Sequence, residues 1–165
     1  MKSNILYTLL FFLITPLTGT TQGNLKTLER QDYSIQFSSK WYLEEIDDMG
    51  IVLIDDEENP KLITTLIATP SDEMSLSETR KELLENSGLE NAKAVKDEIL
   101  NIGGKEMLHL VFQGANEDDS EPFRIEEFFV LHNNQSFMLV FACSEDAYPK
   151  VKASIEQISN SFKLK

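Results

Sequence analysis

The chain carries one cysteine, two histidines and seven glycines among its 165 residues, and each shortage removes a class of chemistry. One cysteine cannot form an internal disulfide, so stability must come from a hydrophobic core. Cys143 closes an apolar, strand-like run, which points to burial. A nucleophilic thiol would instead need a base and a positive environment nearby. Two isolated histidines, His109 and His132, with no His-x-x-x-His spacing and no cysteine cluster, give no transition-metal signature. The sequence has no Gly-x-Ser-x-Gly elbow and no glycine-rich phosphate loop. No catalytic, cofactor-binding or metal residue is therefore assigned from the sequence.

Basic residues are also scarce: 15 Lys and Arg stand against 28 Asp and Glu, a net charge of −13. Such a surface repels DNA and RNA, and nucleic-acid binding is excluded as a function. The acids are spread along the chain and apolar content is ordinary, which describes a folded protein with an acidic skin.

The N-terminus supplies an address. Lys2 precedes an apolar run from Ile5 to Ile14, followed by Pro16 and the small residues Thr18-Gly19-Thr20-Thr21. This is the layout of a secretory signal over residues 1–23. About ten apolar residues fall short of the roughly twenty a spanning helix needs, and the alternative is an uncleaved anchor. No cysteine near the expected cut supports a lipid anchor. Cleavage leaves residues 24–165 as a single domain without a membrane span, in a periplasmic or secreted location. Removing Lys2 leaves 14 basic against 28 acidic residues, or −14.

Periodicity then gives the order of elements. Tyr33 to Phe37 (YSIQF) alternates as a half-buried strand, and Trp41 follows after Ser38-Ser39-Lys40. Gly50–Ile54 and Leu62–Ala68 flank an acidic turn and read as a hairpin. Ser75 and Glu78 have capping-box spacing, Leu76, Leu83 and Leu84 form an apolar helical stripe, and Gly88 is placed to end the helix. Ala94–Ile102 and Met107–Phe112 surround the Gly103-Gly104 turn. Phe123–Leu131 and Ser136–Cys143 surround His132-Asn133-Asn134-Gln135. A C-terminal helix follows, capped by Ser144 or Asp146, with Pro149 in its first turn and Val151, Ile155 and Ile158 as its stripe.

Ser136–Cys143 is apolar on both faces, and each neighbouring run is too short for a membrane-crossing strand. Strand connections outside the helices suit antiparallel pairing. The expected fold is α+β: a largely antiparallel sheet with helices packed on both faces, an α/β/α sandwich.

Candidate sites are few, and each has a structural reading beside its functional one. His109 shares a strand face with Met107 and Val111, which suits a hydrogen-bonded structural histidine. His132 opens a turn, where exposure is expected. The acidic clusters Asp55-Asp56-Glu57-Glu58 and Glu117-Asp118-Asp119 with Glu121 suit solvated turns, with weak calcium binding as the alternative. Trp41 suits a core anchor, with a partner-facing aromatic as the alternative.

The strand YSIQF followed by Trp41, the SLSETRKELLE helix, the ILNIGGKEMLHLVF and FFVLHNNQSFMLVFACSED hairpins and the closing ISNSF together resemble the PsbP-like and DcrB-like superfamily of small extracytoplasmic proteins. The resemblance spans roughly residues 33–162. It departs at Ser38 and Ser39, where relatives often carry proline before the tryptophan. It implies an antiparallel sheet between helices and a non-enzymatic role as an accessory subunit, assembly factor or chaperone. It transfers no binding residue, and no chloroplast address supports the photosynthetic role of PsbP itself. The functional expectation is an exported, non-catalytic binding, accessory or assembly protein whose partner is another protein. The alternatives are a small-ligand or calcium-binding protein and, third, a hydrolase built on dispersed residues.

Overall fold

A computed structural model describes residues 24–46, 49–71, 75–102, 105–116 and 120–165. Residues 1–23, expected to be a secretory signal, Gly103-Gly104 and Glu117-Asp118-Asp119 lie outside the described residues. Among the described residues, ten strands and two helices follow in the order β1 (Leu25–Glu29), β2 (Tyr33–Ser38), β3 (Tyr42–Ile46), β4 (Gly50–Ile54), β5 (Ile63–Pro70), α1 (Leu76–Glu85), β6 (Glu90–Ile102), β7 (Lys105–Ala115), β8 (Pro122–His132), β9 (Gln135–Ser144), α2 (Tyr148–Ser161) and β10 (Lys163–Leu164). Among the described residues, no helix is long and apolar enough to cross a membrane.

Seven strands form one antiparallel sheet in the order β3-β4-β5-β9-β8-β7-β6, and β1-β2-β10 form a smaller one. The hairpins follow local chemistry. Asn133 and Asn134 both take positive φ (52° and 57°) between paired His132 and Gln135, the two-residue turn that matches strand twist. β6 and β7 pair from Ile102 opposite Lys105 outward. α1 opens on the expected capping box: the Ser75 hydroxyl accepts from the Glu78 amide and the Glu78 carboxylate accepts from the Ser75 amide. Its helix ends earlier than Gly88, with Asn86 as C-cap, and Gly88 takes φ +72° just beyond. α2 has Ala147 as its N-cap with no side-chain cap on the helix itself, while Ser144 Oγ accepts from the Ala147 amide at 3.3 Å.

The expectation of an α/β/α sandwich, with helices packed on both faces, is corrected: the chain is mostly antiparallel β, and two helices are too few to form two layers. The reason lies in β9. Phe137, Leu139, Phe141 and Cys143 are buried, but Met138, Val140 and Ala142 on the opposite side are only half-buried. The deep face packs against Tyr33, Ile35 and Phe37 of β2 together with Val151, Ile155 and Ile158 of α2, so a second sheet shares the cover with one helix. On the other face a smaller cluster of Leu108, Leu110, Phe112 and Phe129 receives Leu76 and Leu83 of α1. Ten helical residues reach about 15 Å, roughly three strand spacings of a seven-stranded sheet. Apolar residues on both sides of a strand thus did not mean equal burial on both sides.

Gly50 leaves no room for a side chain beside β5: a Cβ there would sit 2.3 Å from the Leu66 carbonyl oxygen. Gly50→Ala is expected to lower stability by about 1–3 kcal/mol, seen as a lower urea midpoint with an unchanged slope. A variant as stable as the parent chain would show that the β4–β5 spacing is not fixed by this contact.

Candidate binding cleft

The register of β6, β7 and β8 places Glu98, His109 and Phe128 directly opposite one another on the same face. The imidazole of His109 stacks on Phe128 with ring centroids 4.1 Å apart and planes 16° from parallel. Its Nδ1 lies 3.1 Å from Glu98 Oε1 and its Nε2 lies 2.8 Å from Glu126 Oε1. Both ring nitrogens therefore face carboxylates. The ring is 5% exposed and held on three sides. His109 is thus a hydrogen-bonded structural histidine, as its strand position suggested, and has no free nitrogen with which to act as a base.

Above this group a cleft of about 450 Å³ opens between α2 and the outer strands. Its apolar lining is Leu100, Met107, Phe128 and Ile155, and its rim carries Lys96, Lys152, Glu156 and Asn160. α2 borders the cleft through Lys152, Ile155, Glu156 and Asn160, while Val151, Ile155 and Ile158 are buried and hold the helix against the core. Lys96 Nζ pairs with Glu98 Oε1 at 3.0 Å, and this hydrogen bond holds the Glu98 carboxyl below its ordinary range. Beside the cleft, the Arg124 guanidinium lies 4.0 Å over the Tyr148 ring, and its Nε lies 3.2 Å from Glu145. A second cavity of about 250 Å³ lies near Arg30, Tyr33, Glu45 and Gln135. Arg30 and Glu45, both in its lining, form an ion pair at 2.5 Å.

The other sequence candidates lie apart from the cleft. Lys105 Nζ lies against the His132 ring, 2.7 Å from Nδ1 and 2.8 Å from Nε2, and Nε2 lies 3.0 Å from the Lys165 backbone oxygen. That contact joins the β8–β9 turn to the C-terminus. Cys143 is buried, and desolvation pushes its thiol up to about 11, which makes it a core residue and a poor nucleophile. Trp41 is partly buried against the main core. In the acidic turn, Asp55 Oδ1 accepts from the amides of Lys61 and Leu62, and Asp56 Oδ1 accepts from those of Glu58 and Asn59. These carboxylates fix the β4–β5 turn. Among the described residues, no three His, Cys, Asp or Glu side chains gather as metal ligands.

Sequence reasoning missed Glu98 and Glu126, because their relation to His109 exists only once the strand register is known. It also missed Glu127, which the pleat turns to the opposite face from Glu126. Glu127 is 7% exposed, its Oε2 has no hydrogen-bond partner, and desolvation raises its carboxyl to about 7.

No family model matches the sequence, and no curated protein is similar to it in sequence. The chain nevertheless has a PsbP-like fold. It superposes on the solution structure of cyanobacterial PsbP (CyanoP) from Synechocystis sp. PCC 6803 with a TM-score of 0.68, at 14% identity, over 92% of this chain and 99% of that one. The Saccharomyces cerevisiae Ran-binding protein Mog1p matches with a TM-score of 0.59 at 13% identity, over 86% and 96% of the two chains. LpqN, involved in cell envelope biogenesis of Mycobacterium tuberculosis, matches with a TM-score of 0.56 at 12% identity, over 86% and 90%.

Glu127 generates a pH prediction. Its folded value of about 7 lies above the ordinary 4.5, so the folded state holds the extra proton between them. Stability then falls as pH rises through that window and is constant above it. Glu127→Gln is expected to stabilise the chain by about 2–3 kcal/mol at pH 8 and to change little at pH 4. Thermal melts of both proteins across this range check it; a shift independent of pH would contradict the buried-carboxylate assignment.

Proposed function

We propose that the chain is an exported, non-catalytic binding or accessory protein that holds another protein in the cleft between α2 and the outer strands. The observation that carries this reading is the His109 group. The one histidine in the cleft is hydrogen-bonded at both nitrogens and stacked on Phe128, which makes it a rigid floor and not a proton shuttle. An apolar floor with charged groups of both signs at its rim is the arrangement of a recognition surface. The fold supports the same reading, since Mog1p is a Ran-binding protein and LpqN takes part in cell envelope biogenesis. Export rests on Lys2, the apolar run Ile5–Ile14 and Pro16.

The cleft's volume of about 450 Å³ also falls within the range of small-molecule pockets, which sustains a small apolar ligand as a second reading. A thermal-shift screen separates the two: a small ligand raises the melting temperature of the isolated chain, and a protein-only cleft gives no such shift.

The direct test replaces Asn160 on the cleft rim, or Lys61 in the distant β4–β5 turn, with a photo-cross-linking residue in the native cells. The expected result is a discrete protein adduct from position 160 and none from position 61. Equal labelling at the two positions would contradict the cleft as the binding surface. Fractionation of the same cells is expected to place the chain outside the cytoplasm, with a mature N-terminus near residue 24.

A further inference from the structure

β6 is a free edge of the seven-stranded sheet and the longest strand among the described residues, at 13 residues. Long exposed edges recruit further strands unless they are blunted. Two register irregularities blunt part of this one, between Glu90 and Lys93 and between Ala94 and Lys96, whereas pairing with β7 is unbroken from Lys96 to Ile102. Val95, at the second irregularity, and Ile99, within the regular stretch, are 52% and 55% exposed, two of the most exposed large apolar side chains described.

The sequence around Asp97 reads Val95-Lys96-Asp97-Glu98-Ile99, and it is complementary to its own reverse. We propose that a second copy of this chain pairs antiparallel along β6 about Asp97, joining the two large sheets edge to edge. In that register Lys96 stands opposite Glu98 of the second copy, and Val95 opposite Ile99, each twice by symmetry. Opposite charges and apolar pairs directly across an antiparallel ladder are both stabilising. The one like-charge encounter is Asp97 against itself. Each Asp97 enters it already neutralised, because Arg80 of α1 grips both carboxylate oxygens, Nε to Oδ1 at 2.7 Å and Nη2 to Oδ2 at 2.5 Å. A foreign strand would need this pattern by chance, whereas a two-fold interface supplies it automatically.

The pairing also bears on the cleft. Lys96, Glu98 and Leu100 of β6 form its outer wall, so a second copy continues that wall with its own Glu98 and Lys96. This part rests on the binding role proposed above, but the dimer itself does not. The bulge at Val95 limits regular pairing to a few residues on each side of the axis, and the interface is small. A reversible dimer with a Kd of about 10–100 μM is expected.

Sedimentation velocity of the purified chain at about 0.15 M salt, where charges beyond roughly 8 Å are screened, tests this over a concentration series. The wild type is expected to shift from monomer to dimer. Lys96→Glu and Glu98→Lys alone should each weaken association at least tenfold, and the double exchange should restore it to within about threefold of wild type. Because Glu98 also holds His109, Ile99→Lys provides a variant that leaves the cleft lining intact; it too should remain monomeric. A wild-type chain that stays monomeric throughout, or a dimer indifferent to Ile99→Lys, overturns the proposal. Neither result touches cross-linking from position 160, so the two readings fail separately.

Discussion

The structure depends on the inward face of β9. Phe137, Leu139, Phe141 and Cys143 stand at alternate positions, and every one is buried. β9 is central, with β5 and β8 hydrogen-bonded on its two sides in long unbroken registers. Its inward residues meet Ile35 of β2, Ile155 of α2 and Leu66 of β5 in a single cluster. Burying a residue of this size contributes about 1.5–3 kcal/mol, so these four positions and their partners set most of the available stabilisation. The cleft borders the same core, since Val151, Ile155 and Ile158 pin α2 to it and Met107, Phe128 and Ile155 belong to both the core cluster and the cleft lining.

The outer face obeys a weaker constraint. Met138, Val140 and Ala142 are half-buried, and the apolar residues of α1 pack on the smaller cluster built on β7 and β8. Arg80 ties this short helix to β6 through Asp97, an exposed ion pair that solvent screens, so it adds little to the packing of α1. Glu127 can sit buried on the sheet with an unpartnered oxygen because the β9 core supplies stability enough to hold it. The two faces of one sheet therefore differ in kind: one is a packed core and the other a lighter cover.

Much of this was legible in the sequence because it is local. The Ser75–Glu78 box, the paired asparagines after His132, the stripe Val151-Ile155-Ile158 and the alternation in β9 each depend on residues within one turn or one strand. What escaped was non-local. β1 (LKTLE) is mostly exposed, with only Leu28 partly buried on the main core, so its sequence carries little burial signal; it is a strand because it pairs with β2. The helix layers were over-read because an apolar side chain on a strand signals contact with its neighbours in the sheet as well as a covering layer. The site followed the same rule. His109 was visible as a candidate, but Glu98 and Glu126 become its partners only through the β6–β7–β8 register. The PsbP-like resemblance rested on the order of elements, which is why it survives at 14% identity.

Native-state hydrogen exchange tests the central role of the β9 face most directly, because it resolves the free energy of opening element by element. The account predicts that the hydrogen-bonded amides of β8 and β9 exchange only through global unfolding, with the same denaturant dependence as the whole chain. The amides of α1 should exchange through a smaller opening at lower free energy. Equal protection of α1 and β9, or an opening of β9 that leaves α2 and β2 protected, would contradict it.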